Sequence, residues 1–212
     1  MKKQLLVLGI SLLSSATFAQ GLDVIKLNAP SKNRGVSITE ALQQRHSDRV
    51  FDSKDLSLQD LSDLLWAANG VNRPGEKKRT APSALNKQEV DVYVFKKEGV
   101  YKYDAFANEL KPVAKGDHRK LIAGQQDFVM SAPVSLLLVS DVSKFGNNTE
   151  KSRITTACNA GIVCQNINLF CAGIGLSTVP RASIDVEGIK SLLKLTDSQI
   201  PLLNNPVGYP KK

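Results

Sequence analysis

Residues 149–172 read as one long helix. Ile154, Ala157, Cys158, Ile162, Ile167 and Phe170 make it apolar around much of its circumference. A helix without a wide polar face must be covered on more than one side, so it belongs in a domain centre or at a subunit interface. Just upstream, residues 134–139 form an unbroken apolar run of strand length, the pattern of a strand buried on both faces. A chain of 212 residues can cover both, because folding at this size buries roughly 70% of the unfolded surface. With 42% apolar and 23% charged residues, wholesale disorder is excluded. Three Cys and no glycine period exclude disulfide-rich and collagen-like scaffolds.

The first residues have a different character. Lys2 and Lys3 precede an apolar run over 5–13, broken only by Gly9 and Ser11, and then Thr17-Phe18-Ala19. This is the three-part layout of a secretory leader cleaved after Ala19, with an uncleaved anchor as the alternative. It predicts a leader over 1–19 and a single periplasmic or secreted domain over 20–212. The run is too short to span a bilayer, no Cys follows the cleavage point to carry a lipid, and no later stretch reaches 18 apolar residues, so no stable membrane insertion is expected. The net charge of +8 becomes +6 without the two leader lysines. That favours anions only in general terms. No arginine-rich arm, zinc-finger spacing or aromatic RNA-binding strand points to nucleic acid.

Cys158, Cys164 and Cys171 lie on the long helix at gaps that place them about 9 and 10.5 Å apart along its axis. That exceeds disulfide reach, and the three read as small buried apolar residues. His46 and His118 are the only histidines, so no metal site can be assembled.

The remaining elements follow from caps and periodicity. Residues 20–35 form an extended arm. Ser37 and Glu40 have capping-box spacing ahead of Ile38, Ala41 and Leu42, in a helix ending near Arg45. Ser57 and Asp60 open a second helix with Leu58, Leu61, Leu64, Leu65 and Ala68 on one face, ending at Asn69-Gly70. Residues 72–89 read as a long loop. Residues 90–95 and 100–103 form a hairpin, 117–130 a helix broken near Gly124, 186–193 a short helix, and 200–207 a strand interrupted by proline. Helices and strands mix without the period of a doubly wound sheet, which predicts an α+β fold.

Three clusters carry candidate chemistry. In Arg45-His46-Ser47-Asp48-Arg49, alternate residues of extended backbone share a side, so Arg45, Ser47 and Arg49 could face one anion. A solvated helix exit has the same composition. Residues 81–88 combine small side chains with the amide of Asn86, suited to a planar ligand or simply to a loop. Residues 173–183 begin with paired glycines that permit a tight helix exit, followed by Pro180, Arg181 and Ala182.

In this order and spacing, the clusters resemble the FMN-dependent nitroreductase superfamily, and within it the SagB-type, thiazole/oxazole-dehydrogenase-like branch. The resemblance runs from about Val36 to Pro210. It is carried by residues 45–51, by Leu64-Leu65-Trp66-Ala67-Ala68-Asn69-Gly70-Val71-Asn72-Arg73, by Thr80-Ala81-Pro82-Ser83-Ala84, by Asn159-Ala160-Gly161 through Gly175-Leu176, and by Pro206-Val207-Gly208-Tyr209-Pro210. It implies a mixed, mainly antiparallel sheet flanked by helices, with the long helix at a homodimer interface and FMN between the subunits. By motif, Arg45 and Ser47 would hold the phosphate and ribityl chain, with Arg49 a third member and Lys211 and Lys212 supplementing it. Pro82, Ser83 and Asn86 would lie near the flavin ring. Pro180, Arg181 and Ala182 would present backbone N–H to it. His46 stands where the family usually has Arg, Lys87-Gln88-Glu89 replaces a more apolar continuation, and the chain stops short of the family's usual tail. The implied activity is ping-pong reduction of a nitroaromatic- or quinone-like acceptor by a small-molecule donor, with no catalytic side chain and no metal. The alternatives are a non-catalytic flavin-binding or structural protein and an azoline-type dehydrogenase.

Overall fold

The computed structural model describes residues 21–146 and 148–211. The expected leader and Lys212 lie outside the described residues. Seven strands form one sheet. Across it lie β1 (Ile25–Lys26), β6 (Glu109–Lys115), β5 (Gly99–Asp104), β4 (Val90–Lys96), β7 (Val134–Asp141), β9 (Gln199–Gly208) and β8 (Ser177–Thr178). Every pairing among them is antiparallel.

Alternation along β7 divides the core in two. Val134, Leu136 and Leu138 pack with Leu61, Leu64 and Leu65 of α2 (Leu58–Asn69) and with Val163, Ile167 and Cys171 of α4 (Glu150–Ile174). Leu137 and Val139 face Ile122 of α3 (Arg119–Ala123) and Ile189 and Leu193 of α5 (Val186–Leu193). Successive strand residues point to opposite faces, so an unbroken apolar run needs helices on both. The result is a helix–sheet–helix arrangement of the α+β class, with α4 and α1 (Ile38–Gln44) on the same side.

Side chains set the helix starts. Ser37 and Ser57 accept from the N–H groups of Glu40 and Asp60 at 3.2 and 3.0 Å. Thr149 and Ser152 form a reciprocal capping box at α4. Arg34 then binds Asp60 and Asp63 on α2, at 2.6 and 2.9 Å, fastening the N-terminal arm.

The structure departs from the sequence expectations in definite places. Residues 72–89 are not a bare loop. β2 (Val71–Arg73) and β3 (Lys78–Arg79) pair around one 3-10 turn, and a second covers Ala84–Asn86. β6 was hidden by Pro112, which sits opposite Tyr101 beside a register shift that removes the need for a ladder N–H. β9 is a continuous strand despite Pro201 and Pro206. Pro206 directs its carbonyl to the Thr178 hydroxyl at 2.9 Å. Its missing N–H therefore faces the β8 side, where β8 supplies only two residues. The 117–130 helix stops at Gly124, whose φ is +56°, and resumes as a 3-10 turn over Asp127–Ser131.

The cysteine and α4 expectations need the same correction. Cys164 and Cys171 are buried, but Cys158 is exposed. Ile154 is 57% exposed and Ile162 37%. One face of α4 is covered by the sheet and α2, while the opposite apolar face is open.

Candidate active site

The segment after α1 is held extended by the chain end. The Asp48 N–H donates to the Thr178 carbonyl and the Asp52 N–H to the Tyr209 carbonyl, both at 2.9 Å, and Phe51 bridges Pro210. The first cluster, the post-α4 segment and the C-terminus therefore meet at one end of the sheet. His46 and Asp48, with Gln44, line a cleft of about 180 Å³ closed by Asn168, Ala172 and Gly175 of the α4 end and by Ser177, Thr178 and Pro210. Asp48 accepts from the Ser177 hydroxyl. Burial would raise its pKa, but that hydrogen bond, the Val50 and Arg49 N–H groups and His46 together pull it below the usual carboxylate value. His46 Nδ1 lies 2.8 Å from the Gln44 carbonyl. A carbonyl only accepts, so Nδ1 carries the hydrogen.

Arg45, Ser47 and Arg49 take the alternate positions. Ser47 and Arg49 are exposed and Arg45 half-buried. Among the described residues none of the three side chains has a hydrogen-bond or ion-pair partner, although Arg45 N–H closes α1 on Ala41. Lys211, also exposed, follows directly on the bridge at Pro210.

The post-α4 segment is rigid. Gly175, at φ +74°, ends the helix, and Leu176 N–H returns to the Cys171 carbonyl at 2.8 Å. Beyond β8, Arg181 is clamped from all sides. Its guanidinium donates to Asn204 Oδ1 (2.6 Å), Gln126 Oε1 (2.9 Å) and the carbonyls of Ile122 and Ala123 (3.1 Å each). Its backbone exchanges hydrogen bonds with Asn204 at 2.8 and 2.7 Å. Burial lowers its pKa. Neither its side chain nor its N–H is available to a ligand. Pro180 and Ala182 are exposed, and the Ala182 N–H has no acceptor among the described residues.

The second cluster lies elsewhere. Pro82 and Asn86 are exposed and Ser83 half-buried. The Ser83 hydroxyl accepts from Gln88 N–H at 2.8 Å. Leu85, Asn86 and Gln88 have φ of 54°, 53° and 49°, and Leu85 is 83% exposed. Left-handed backbone at Leu is strained, and such strain gathers at functional sites. Ala84 and Leu85 share a cavity with Phe145, Thr149, Lys151, Ser152 and Thr155, at the N-terminal end of α4. Ala172 of the first cleft lies 17 residues beyond Thr155, roughly 25 Å along the axis at the helical rise. One chain therefore does not bring residues 82–86 to residues 45–49.

A family model described as the nitroreductase family matches residues 42–209. The chain belongs to the nitroreductase family. It is similar to a crystal structure from Ralstonia eutropha JMP134, provisionally titled a nitroreductase, at 34% identity and TM-score 0.83, covering 89% of this chain and 90% of that one. A Methanocaldococcus jannaschii protein with the provisional name nitroreductase MJ1384 is 28% identical over 199 residues, 88% of this chain and 97% of its own. A nitroreductase-family structure from Clostridium difficile 630 superposes with TM-score 0.61 at 20% identity, over 84% and 86% of the two chains, which speaks to fold alone. The protein is thus an oxidoreductase. Nitroreductases generally use a flavin and are generally dimeric.

The sequence reading passed over Asp48, Ser177 and Asn168 in the cleft, and Asn204 under Arg181. Asp48 stood inside the quoted motif but on the other side of the alternation. Asn204-Asn205 did carry a signal: two amides inside an apolar strand stay buried only if they bind something specific.

Proposed function

We propose that this nitroreductase-family enzyme binds FMN between two copies of the chain and passes reducing equivalents to a nitroaromatic- or quinone-like acceptor, donor and acceptor using the site in turn. The observation that carries this reading is the separation of two half-sites along α4. The residues of the first half fit an anionic cofactor. Arg45, Ser47 and Arg49 are unpartnered donors on one side of a braced segment, and phosphate takes such charge-assisted bonds. Lys211 would add to them, and Lys212 is proposed as a further contact. His46, with Nδ1 committed to Gln44, offers only Nε2. Ala182 would offer its free N–H beside Pro180, with Arg181 serving as the clamp that holds the segment.

The cleft itself is smaller than the roughly 300–1,000 Å³ of pockets that bury a drug-sized ligand. The ring therefore needs a second wall. Pro82, Ser83 and Asn86 of a second copy would supply it in a two-fold pairing of antiparallel α4 helices. The open apolar faces at Ile154 and Ile162, and at Val36, Ile38 and Leu42, support such a pairing. Bound FMN would supply the hydride and electron chemistry, and the protein would hold it, orient substrate and exclude water.

We further propose SagB-type membership within the family, and export, with the leader removed after Ala19. The physiological donor would then not be soluble NAD(P)H, which is scarce outside the cytoplasm. N-terminal sequencing of protein from the exported fraction tests this; a chain retained in the cytoplasm with its leader intact refutes it. For the cofactor, the test is the visible spectrum of purified residues 20–212 after FMN addition and desalting. Retention near one flavin per subunit, bleached by a donor and restored by acceptors, is expected. A folded protein that retains no flavin overturns the reading and favours a non-catalytic relative.

A further inference from the structure

A second cavity, of about 340 Å³, opens where β4 begins and β5 ends, and none of its lining residues belongs to the candidate active site. Two of its three cations are already paired. Lys102 Nζ lies 2.7 Å from Asp91 and Lys111 Nζ 2.6 Å from Asp104. Arg79, from β3, is the third. Among the described residues its side chain has no hydrogen-bond acceptor and no carboxylate within ion-pair distance, and its Nε is shut off from solvent. Asp91 and Asp104 are close enough to support its charge, but each is taken by a lysine. Tyr103, on the same wall, is 7% exposed, and its hydroxyl is also buried without a partner. The ring of Phe106, itself 55% exposed, covers the guanidinium at 5.4 Å.

Buried guanidinium groups are paired, because leaving the charge uncompensated is costly. Here two donors line one cavity and no protein acceptor answers either. We propose that the cavity binds a small organic carboxylate, its oxygens accepting from Arg79 and Tyr103 and its apolar body resting near Phe106. Charge selects the class. Three cations against two carboxylates leave one positive charge, which a monoanion cancels. A phosphate dianion would overshoot and meet Asp91 and Asp104. The planar fork of Arg79 also matches a carboxylate.

Isothermal titration of the purified protein with benzoate, and separately with inorganic phosphate, tests this. Saturable benzoate binding is expected, weakened about 10-fold or more in Arg79→Met and in Tyr103→Phe and unchanged in Arg45→Gln. Phosphate should bind this cavity at least about 10-fold more weakly. Arg79→Met should melt no lower than the parent without ligand, since it removes an unpaired charge, while losing the rise in melting temperature that benzoate gives the parent. Benzoate binding that survives Arg79→Met places the ligand elsewhere, for instance at the flavin site, and overturns the proposal. So does the absence of saturable binding, tighter binding of phosphate at this cavity, or a ligand-free Arg79→Met protein that melts lower.

Discussion

The two ends of α4 are built on opposite principles. At the C-terminal end nearly every polar group is answered: Arg181 by Asn204, Gln126 and two carbonyls, Asp48 by Ser177, and Gly175 in the left-handed region that glycine tolerates. At the N-terminal end a leucine sits in that same left-handed region with its side chain in solvent. One end is a finished cradle with a few donors left free. The other is a strained, uncovered edge. A site made from both is complete only when two chains meet, which is why the strain is tolerable.

The largest effect should come from breaking the finished end. Arg181→Leu strands Asn204 Oδ1 and two buried carbonyls, and should lower stability by about 3 kcal/mol, measured by denaturant unfolding. Arg45→Gln with Arg49→Gln should leave stability within about 0.5 kcal/mol but weaken FMN binding by roughly 100-fold at two charge-assisted contacts, read by flavin fluorescence titration. If the double variant holds flavin as tightly as the parent, the anion-binding reading of this segment is wrong. On the open side, Ile162→Asp should shift sedimentation from dimer to monomer while the isolated chain keeps its circular dichroism.

A smaller effect separates the arm from both ends. Burial raises the Asp60 pKa, but hydrogen bonds from Tyr209, Ser57 and Arg34 outweigh it, and the net value lies below the ordinary one. A depressed carboxylate contributes stability that is present above its unfolded pKa and lost as pH falls through the folded one. Arg34→Met should therefore be less stable than the parent at neutral pH. The gap should narrow below about pH 4, the unfolded Asp value, in parallel thermal melts. The smallest effect is expected for Leu85→Gly. Relief of left-handed strain and the added chain entropy of glycine nearly cancel, leaving a change under about 1 kcal/mol, while flavin retention falls.

Helices were legible because their signals are local. Ser37, Ser57 and Thr149 announced three starts, and each side chain caps as expected. β6 and β9 were harder because Pro112, Pro201 and Pro206 read as breakers. What admits them is a register shift and a neighbour only two residues long, both properties of the assembled sheet. The order of motifs was enough to point to the family. It could not say which of them share one chain's surface, since that depends on the length of α4 between them. Arg181 shows the same limit from another side. Its place in the motif suggested a ligand contact, whereas its side chain braces α3 against β9.

The position of β9 governs when this fold can exist. The last strand to be made or delivered fills the slot between β7 and β8, pairing residues 199–208 with residues 134–141. Until the final fourteen residues arrive, β7 has one bare edge at the middle of the sheet, and Asn204 is not there to receive Arg181. A nascent or partly threaded chain is therefore held short of its native state whatever its helices do, and the sheet closes in one late, long-range step.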